Sequence, residues 1–218
     1  MTDPGTRRRR LALGLYLVTD PAMPGARGLP AVVEAALKGG ITMLQLRDKE
    51  ASDEEFLAMA RTLAPMARSA GVPFLLNDRP HLVDAAGADG VHIGQEDTAP
   101  AAARRMIGPD RLLGLSVETP ALAAAVDPER VDYAGIGPVQ ATDTKPDHRK
   151  PLGLDGLAAA YAACPVPVVA IGGVGSGNAA SIMKCGVDGI AVVSAICAAP
   201  DPEAAARTLL RTIRDARP

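Results

Sequence analysis

The 218-residue sequence lacks three features: an excess of basic charge, a long apolar run, and cysteines at metal-binding spacing. Its net charge of -2 leaves no basic face, which argues against nucleic acid as a partner. No apolar run approaches the length that spans a bilayer, so we expect no membrane partner. The three cysteines, Cys164, Cys185 and Cys197, are interpreted as small buried residues in a reducing compartment, which predicts a cytoplasmic protein.

The N-terminus imitates an export signal, because RRRR (7–10) precedes the apolar stretch LALGLYLV. No clear small-x-small cleavage site follows, and LYLV is needed as a first strand. We therefore expect residues 1–10, with Arg7 to Arg10, to be a disordered and solvated tail. Residues 11–218 are expected to form one domain.

A repeated pattern of helix, glycine, short apolar strand and polar loop runs along the chain. Two of its junctions nearly copy each other, AGADGVHIG (86–94) and CGVDGIAVV (185–193), and in each the first glycine suits a left-handed helix cap. The strands are predicted at 15–18, 42–46, 73–77, 90–93, 112–116, 131–136, 167–171 and 189–193. The helices are predicted at 30–40, 52–71, 80–87, 99–108, 120–126, 153–164, 176–186 and 201–216. This alternation predicts a single-domain (β/α)8 TIM barrel, with a doubly wound sheet as the alternative.

Function in such a barrel lies at the carboxyl ends of the strands. Asp78 and Asp97 follow the neighbouring third and fourth strands, and neighbouring strands lie about 4.8 Å apart. Both carboxylates could therefore reach one Mg²⁺, and Arg47, Lys49 and Lys145 would add positive charge to the same rim. This combination predicts a diphosphate site. The alternative is that the charges pair with one another on a solvated surface.

A glycine-rich stretch, AIGGVGSGNAA (170–180), resembles a dinucleotide fingerprint but lacks its third glycine, where Asn178 stands. It also follows the seventh strand instead of the first, which excludes that interpretation. After strands 7 and 8 of a barrel, backbone N–H groups hold a monophosphate. We expect Gly173 to let the chain come close to that phosphate and Ser194 to add a hydroxyl. Two anion sites on one rim predict a transferase that joins two phosphorylated small molecules.

Five motifs in order resemble the thiamine-phosphate synthase family, also called thiamine-phosphate pyrophosphorylase. They are QLRDK (45–49), NDRPHLVDAAGADGVHIGQED (77–97), GLSVET (114–119), TDTK (142–145) and AIGGV (170–174). The resemblance implies a (β/α)8 barrel. It also implies the coupling of 4-amino-5-hydroxymethyl-2-methylpyrimidine diphosphate with 4-methyl-5-(2-phosphoethyl)thiazole, which gives thiamine phosphate and diphosphate.

The resemblance also implies roles for single residues. Asp78 and Asp97 would hold Mg²⁺, and Arg47, Lys49 and Lys145 would be catalytic. The residues implied to contact the pyrimidine diphosphate are Gln45, Arg47, Lys49, Asn77, Ser116 and Lys145. The residues implied to contact the thiazole phosphate are Thr142, Thr144, Gly173, Val193 and Ser194. One departure is Gln140-Ala141, where the family usually has an aromatic residue and a proline, which puts the stiffness of this loop in doubt.

The implied reaction needs no general base, because the attacking thiazole nitrogen carries no proton. Diphosphate leaves either first or as the nitrogen arrives, and closure of the long polar loop 139–153 would exclude water. We expect His92 to be a buried, hydrogen-bonded structural residue, whereas Glu96 and Glu118 either support the site or are surface charges. The alternatives are a thiazole tautomerase-like relative, a sugar-phosphate epimerase or isomerase, and a non-catalytic phospholigand sensor.

Overall fold

Parallel strands close into a barrel in the computed structural model, which describes Gly5, Arg7, residues 11–141 and residues 150–216. The strands pair in chain order, and the last pairs with the first. Their bounds are β1 Leu15–Val18, β2 Met43–Leu46, β3 Phe74–Asn77, β4 Gly90–Ile93, β5 Leu112–Val117, β6 Tyr133–Ile136, β7 Val168–Ala170 and β8 Gly189–Val192. The predicted barrel is confirmed, and each predicted strand overlaps an observed one.

Helices follow the strands and cover the outside of the barrel. Their bounds in the described ranges are α1 Leu29–Gly39, α2 Asp53–Ser69, α3 Val83–Ala86, α4 Pro100–Ile107, α5 Pro120–Ala124, α6 Gly153–Ala163, α7 Ala179–Met183, α8 Ser194–Cys197 and α9 Pro202–Ala216. Short 3-10 turns lie at Gly25–Arg27 and Pro80–Leu82. Every predicted helix overlaps an observed one, whereas α8 was not predicted. Gly87 caps α3 with a left-handed φ of 61°, as predicted. Gly186 has a φ of 96° but lies three residues beyond the end of α7, whose capping residue is Lys184, so the predicted cap is wrong there.

Two hydrophobic cores hold the barrel together. The larger core lies between the strands and the helices, where side chains such as Leu44, Phe56 and Val91 are fully or almost fully buried. The smaller core fills the barrel interior and includes Met43 and Leu75. Because all eight strands are buried on both faces, they appear in the sequence as continuous apolar runs instead of alternating ones.

A pair of hydrogen bonds recurs at the start of every even-numbered strand. The residue just before the strand donates its backbone N–H to a carbonyl in the preceding odd-numbered strand, at 2.8–2.9 Å. Its side chain accepts the N–H of that same partner, at 2.8–3.0 Å. We call these pairs the strand clamps: Thr42 with Leu15, Asp89 with Phe74, Asp132 with Leu113, and Asp188 with Val168. Asp89 and Asp188 occupy the same place in the two copied junctions.

The clamp residue Asp132 also binds two arginines and is fully buried. The Nε of Arg7 donates to Asp132 Oδ1 at 2.8 Å, and an Nη of Arg104 donates to Oδ2 at 2.7 Å. Arg7 is only 4% exposed and also donates to the carbonyls of Pro109 and Glu129. The prediction of a solvated tail is therefore wrong for Arg7, because a buried carboxylate attracts it to the amino-terminal end of the barrel. Arg8 to Arg10 lie outside the described residues.

All three cysteines are free thiols. Cys197 is buried, and its burial raises the pKa of its thiol to about 11. Cys164 and Cys185 are only half-buried, so the prediction that all three are buried is correct for Cys197 alone. In the described part of the chain, no helix combines the length and the apolar character needed to cross a membrane.

We predict that Asp132→Ala destabilises the protein strongly. The change leaves Arg7 and Arg104 with buried positive charge and removes one strand clamp, a loss expected to cost about 3–5 kcal/mol of unfolding free energy. Urea unfolding followed by circular dichroism measures the effect. The matched control is Asp215→Ala at an exposed position of α9, which is expected to change stability by less than about 0.5 kcal/mol. Equal stability of the two variants would contradict the assigned importance of the buried cluster.

Candidate functional site

A cavity of about 1240 Å³ opens at the carboxyl ends of the strands, where the sequence predicts the site. Its wall contains seven of the predicted site residues: Gln45, Arg47, Asn77, Ser116, Gly173, Val193 and Ser194. Asp78 follows Asn77 directly, and Lys49 lies two residues beyond Arg47, on an exposed part of the same rim. The predicted residues Thr142, Thr144 and Lys145 lie outside the described residues.

The structure brings the two predicted carboxylates together. The Asp78 and Asp97 side chains are close enough to hydrogen-bond to each other. Asp97 Oδ2 also accepts the backbone N–H of Gly94 at 2.7 Å, and a Cβ atom on Gly94 would lie 2.7 Å from that same oxygen. Asp78 has a φ of 57°, a left-handed conformation that only glycine, asparagine and aspartate adopt readily. Local backbone geometry therefore directs both carboxylates to one point.

The electrostatics of this carboxylate pair suit a divalent cation. Burial, together with the hydrogen bond and the negative charge of Asp97, raises the pKa of Asp78 to about 6, against the lowering effects of Lys49 and Asn77. A cation would relieve the repulsion between the part-buried carboxylate of Asp78 and the exposed carboxylate of Asp97. Among the described residues, no third His, Cys, Asp or Glu joins the cluster. Such a two-carboxylate set fits Mg²⁺, which keeps several waters or phosphate oxygens as ligands.

Arg79, which the sequence analysis did not single out, holds the loop that carries Arg47 and Lys49. Its guanidinium donates to the backbone carbonyls of Asp48, Ala51 and Ser52 at 2.5–3.4 Å. It also lies 4.3 Å above the ring of Phe56. Because Arg79 follows Asp78 directly, these contacts fix the loop after β2 against the carboxylate pair.

The glycine-rich loop after β7 lies on the opposite side of the cavity. Gly172 and Gly173 have φ values of 90° and 67°. A Cβ atom on Gly173 would lie 2.7 Å from Cβ of Gln140, and one on Gly172 would lie 2.6 Å from Cα of Pro138. The segment after β6 therefore requires both glycines. The packing of this segment is a different reason for glycine at position 173 from the predicted one, which was the close approach of a phosphate.

Asn178, the residue that stands in place of the third fingerprint glycine, fastens this loop. Its side-chain oxygen accepts the N–H of Gly175 at 2.9 Å, and its amide nitrogen donates to the carbonyl of Gly173 at 2.8 Å. The same nitrogen donates to Oε1 of Gln140, also at 2.8 Å. Gln140 is one of the two residues that depart from the family pattern. Its amide therefore ties the start of the long loop to the glycine-rich loop.

The short helix α8 completes this side of the cavity. It begins at Ser194, one residue beyond the end of β8, and both Val193 and Ser194 line the cavity. The first N–H groups of a helix have no partner inside that helix, so they favour an anion. Together with the glycine-rich loop, this helix start gives a cavity wall of backbone amides and one hydroxyl.

His92 is buried and hydrogen-bonded, as expected for a structural histidine. Its Nδ1 lies 2.9 Å from the hydroxyl of Tyr133, and its Nε2 lies 3.0 Å from that of Ser116. It also lines the cavity, as do Tyr16 and Glu118, whereas Glu96 is exposed and not part of the cavity wall. Neither Tyr16 nor Tyr133 was predicted to belong to the site.

Comparison with known proteins gives one consistent family. A family model described as thiamine monophosphate synthase matches residues 15–196. The thiamine-phosphate synthase of Xanthobacter autotrophicus is 49% identical over 205 residues, which cover 94% of this chain and 97% of that protein. The thiamine-phosphate synthase of Chloroflexus aurantiacus is 48% identical over 195 residues, which cover 89% and 90%.

Solved structures agree with this result. The thiamine phosphate pyrophosphorylase from Pyrococcus furiosus matches with a TM-score of 0.86 and 34% identity, over 96% of this chain and 98% of that one. The 3-hexulose-6-phosphate synthase from Salmonella typhimurium matches with a TM-score of 0.69 over 94% and 100%, but with only 18% identity. This second likeness shows the shared barrel fold alone.

We predict that Asp78→Asn stabilises the protein at neutral pH when no divalent cation is present. The raised pKa of Asp78, about 6 against an ordinary 3.8, means that the folded state binds more protons than the unfolded state between these values. Stability contributed by this group is therefore present at low pH and falls as pH rises through about 6. Asparagine tolerates the left-handed φ and removes the repulsion.

Thermal unfolding at pH 5 and pH 7.5 measures this effect. Asp78→Asn should raise Tm by several degrees at pH 7.5 and by less at pH 5, whereas the exposed control Asp215→Asn should shift neither. A lower Tm for Asp78→Asn at pH 7.5 would contradict the repulsion between Asp78 and Asp97.

Proposed function

Because the chain belongs to the thiamine monophosphate synthase family and is a transferase of thiamine biosynthesis, we propose that it catalyses a defined coupling reaction. The proposed substrates are 4-amino-5-hydroxymethyl-2-methylpyrimidine diphosphate and 4-methyl-5-(2-phosphoethyl)thiazole, and the products are thiamine phosphate and diphosphate. The observation that carries the proposal is the division of one cavity into two unlike anion-binding sides. One side has Arg47 in the cavity wall, next to the rim that carries Lys49 and the paired carboxylates, and the other has backbone amides and a hydroxyl.

The carboxylate side is suited to the diphosphate. Asp78 and Asp97 would hold Mg²⁺, which supplies positive charge to the leaving diphosphate when bound. Arg47 on the cavity wall and Lys49 at the rim would neutralise further negative charge as the bond to the pyrimidine methylene carbon breaks. We expect Lys145, in the loop that lies outside the described residues, to act in the same way.

The amide side is suited to the single phosphate of the thiazole. Gly173, Val193 and Ser194 lie together there, and Thr142 and Thr144 would contribute from the long loop. This arrangement would hold the thiazole nitrogen facing the methylene carbon, so orientation and charge neutralisation supply most of the catalysis. No residue has to remove a proton from the attacking nitrogen, which agrees with a His92 that is fully occupied in structural hydrogen bonds.

The carboxylate pair favours this reaction over a single-ligand isomerase or a tautomerase-like activity. Neither alternative requires a divalent cation opposite a second anion site. A non-catalytic sensor for phosphorylated ligands would bind both compounds and release no diphosphate. The coupling assay therefore distinguishes the candidates.

We predict that the protein releases diphosphate only when both substrates and Mg²⁺ are present. Inorganic pyrophosphatase coupled to phosphate detection measures the release, and mass spectrometry identifies thiamine phosphate. Asp78→Asn and Asp97→Asn should each lower kcat/KM by at least about 100-fold, because each removes one of two carboxylate ligands. Binding of both compounds by the wild type without release would favour the sensor.

We also predict that Asn178→Ala raises the KM for the thiazole phosphate about tenfold and leaves the KM for the pyrimidine diphosphate unchanged. The variant removes three hydrogen bonds that shape the glycine-rich loop, all on one side of the cavity. Gln140→Ala removes only one of them and should have a smaller effect in the same direction. An equal rise in both KM values would contradict the assignment of this loop to the thiazole phosphate. Steady-state kinetics with each substrate varied in turn gives the result.

A further inference from the structure

A continuous chain of side-chain hydrogen bonds crosses the interior of the barrel. Gln45 Nε2 donates to the hydroxyl of Tyr16 at 2.6 Å, and this hydroxyl lies 2.9 Å from that of Tyr133. The Tyr133 hydroxyl lies 2.9 Å from Nδ1 of His92, whose Nε2 lies 3.0 Å from the hydroxyl of Ser116. We call this set of five residues the interior relay. It links β2, β1, β6, β4 and β5, and each strand supplies one member.

The barrel makes room for the relay at two glycines inside strands. A Cβ atom on Gly114 would lie 2.4 Å from both His92 Nδ1 and the Tyr133 hydroxyl. A Cβ atom on Gly135 would lie 3.1 Å from Cε1 of His92. Glycine in a strand interior weakens the strand and often marks a close approach of another group. These positions therefore accommodate the two rings at the centre of the relay.

Both tyrosines of the relay keep their hydroxyl protons, so every hydrogen bond in it is donated in the same direction, from Gln45 towards Ser116. Burial raises the pKa of Tyr16 and of Tyr133 well above the ordinary value for a tyrosine, which keeps both phenols neutral. A tyrosine hydroxyl has one proton, so it donates one hydrogen bond. The amide nitrogen of Gln45 can only donate, so the partner left to accept the Tyr16 proton is the Tyr133 hydroxyl. The proton of Tyr133 is then left for Nδ1 of His92. If Nδ1 accepts, the ring nitrogen that carries a proton is Nε2, which donates to Ser116.

We propose that Tyr16, Tyr133 and His92 are positioning residues that fix the hydrogen-bond direction at the two ends of the relay, Gln45 and Ser116. Both ends line the cavity. Gln45 uses an amide N–H inside the relay and keeps its carbonyl oxygen as an acceptor for the ligand. Ser116 accepts from His92 and keeps its hydroxyl proton as a donor. The relay thus gives the cavity one acceptor and one donor at defined places.

This pair of groups matches one of the two proposed substrates, so the inference rests on the proposed function. An aminopyrimidine carries an amino group that donates and ring nitrogens that accept. The substituted thiazole has no N–H donor. The relay should therefore contribute to binding of the pyrimidine and not of the thiazole.

A double-mutant cycle tests the relay. Tyr133→Phe interrupts the chain while keeping the ring, and Ser116→Ala removes the end through which it acts. In the wild-type background, Tyr133→Phe should raise the KM for the pyrimidine diphosphate about tenfold, the effect of one lost hydrogen bond, and leave the thiazole KM unchanged. In the Ser116→Ala background, the same change should raise this KM by a clearly smaller factor, because only the Gln45 end of the relay is then left to lose its direction. Tyr161→Phe, which alters the remaining tyrosine on the outer helix α6, is the matched control and should have no effect in either background.

Three outcomes would overturn the proposal. The first is that Tyr133→Phe raises the KM for the pyrimidine diphosphate by the same factor in both backgrounds. The second is that it raises the KM values for both substrates equally, and the third is that its kinetics are those of the wild type. Tyr16→Phe is the second variant, since it interrupts the chain one step earlier, and it should show the same selective rise in KM. Circular dichroism of each variant separates a loss of folding from a loss of positioning.

Nitrogen-15 NMR of histidine-labelled protein tests the relay without any substrate. The chain has three histidines, and a His92→Gln spectrum identifies the signals of His92. In the wild type, His92 should be neutral with its proton on Nε2, and Tyr133→Phe should shift the Nδ1 signal. A proton on Nδ1 in the wild type would overturn the assigned direction. This measurement is independent of turnover, so failure of the coupling assay alone would refute the proposed function and not the relay.

Discussion

The strand clamps are the constraint on which the rest of the barrel depends. Parallel strands are joined by evenly spaced hydrogen bonds, and a slip of one residue would turn every side chain to the opposite face. The side chain before each even-numbered strand binds the N–H of the preceding odd-numbered strand and so fixes the pairing at the amino-terminal end. Because the strands are only three to six residues long, the position of their carboxyl ends follows directly. The cavity wall therefore inherits its geometry from contacts at the far end of the barrel.

Much of the fold could be predicted from the sequence because the barrel strands are short apolar runs between glycines and polar residues. The largest difference at a strand boundary is at β6, predicted from 131 but observed from Tyr133, because Asp132 acts as a clamp instead of joining the strand. Among the helices, the one predicted at 176–186 is observed only at Ala179–Met183. The meeting of Asp78 and Asp97 was also predictable, since they follow strands that pair with each other. In these cases, the positions of the residues along the chain were sufficient for the prediction.

Contacts between distant parts of the chain could not be predicted in the same way. Tyr16 and Tyr133 are 117 positions apart, and Arg7 and Asp132 are 125 apart. The sequence did contain a signal for the interior relay, because β1 to β6 each have a single side chain with a polar group, and five of these six side chains belong to the relay. Nothing in the order of residues states that these five groups meet. The contact between Gln140 and Asn178 could not be predicted either. Gln140 departs from the family pattern, and Asn178 stands where a dinucleotide fingerprint would have its third glycine.

The repetition of the strand clamps divides the barrel into four equal building units. Each clamp joins consecutive strands, β1 with β2, β3 with β4, β5 with β6, and β7 with β8, and none bridges two units. A circular permutant whose new ends lie between two units would thus keep both residues of every clamp in one continuous segment. New ends inside a unit would separate the two residues of one clamp.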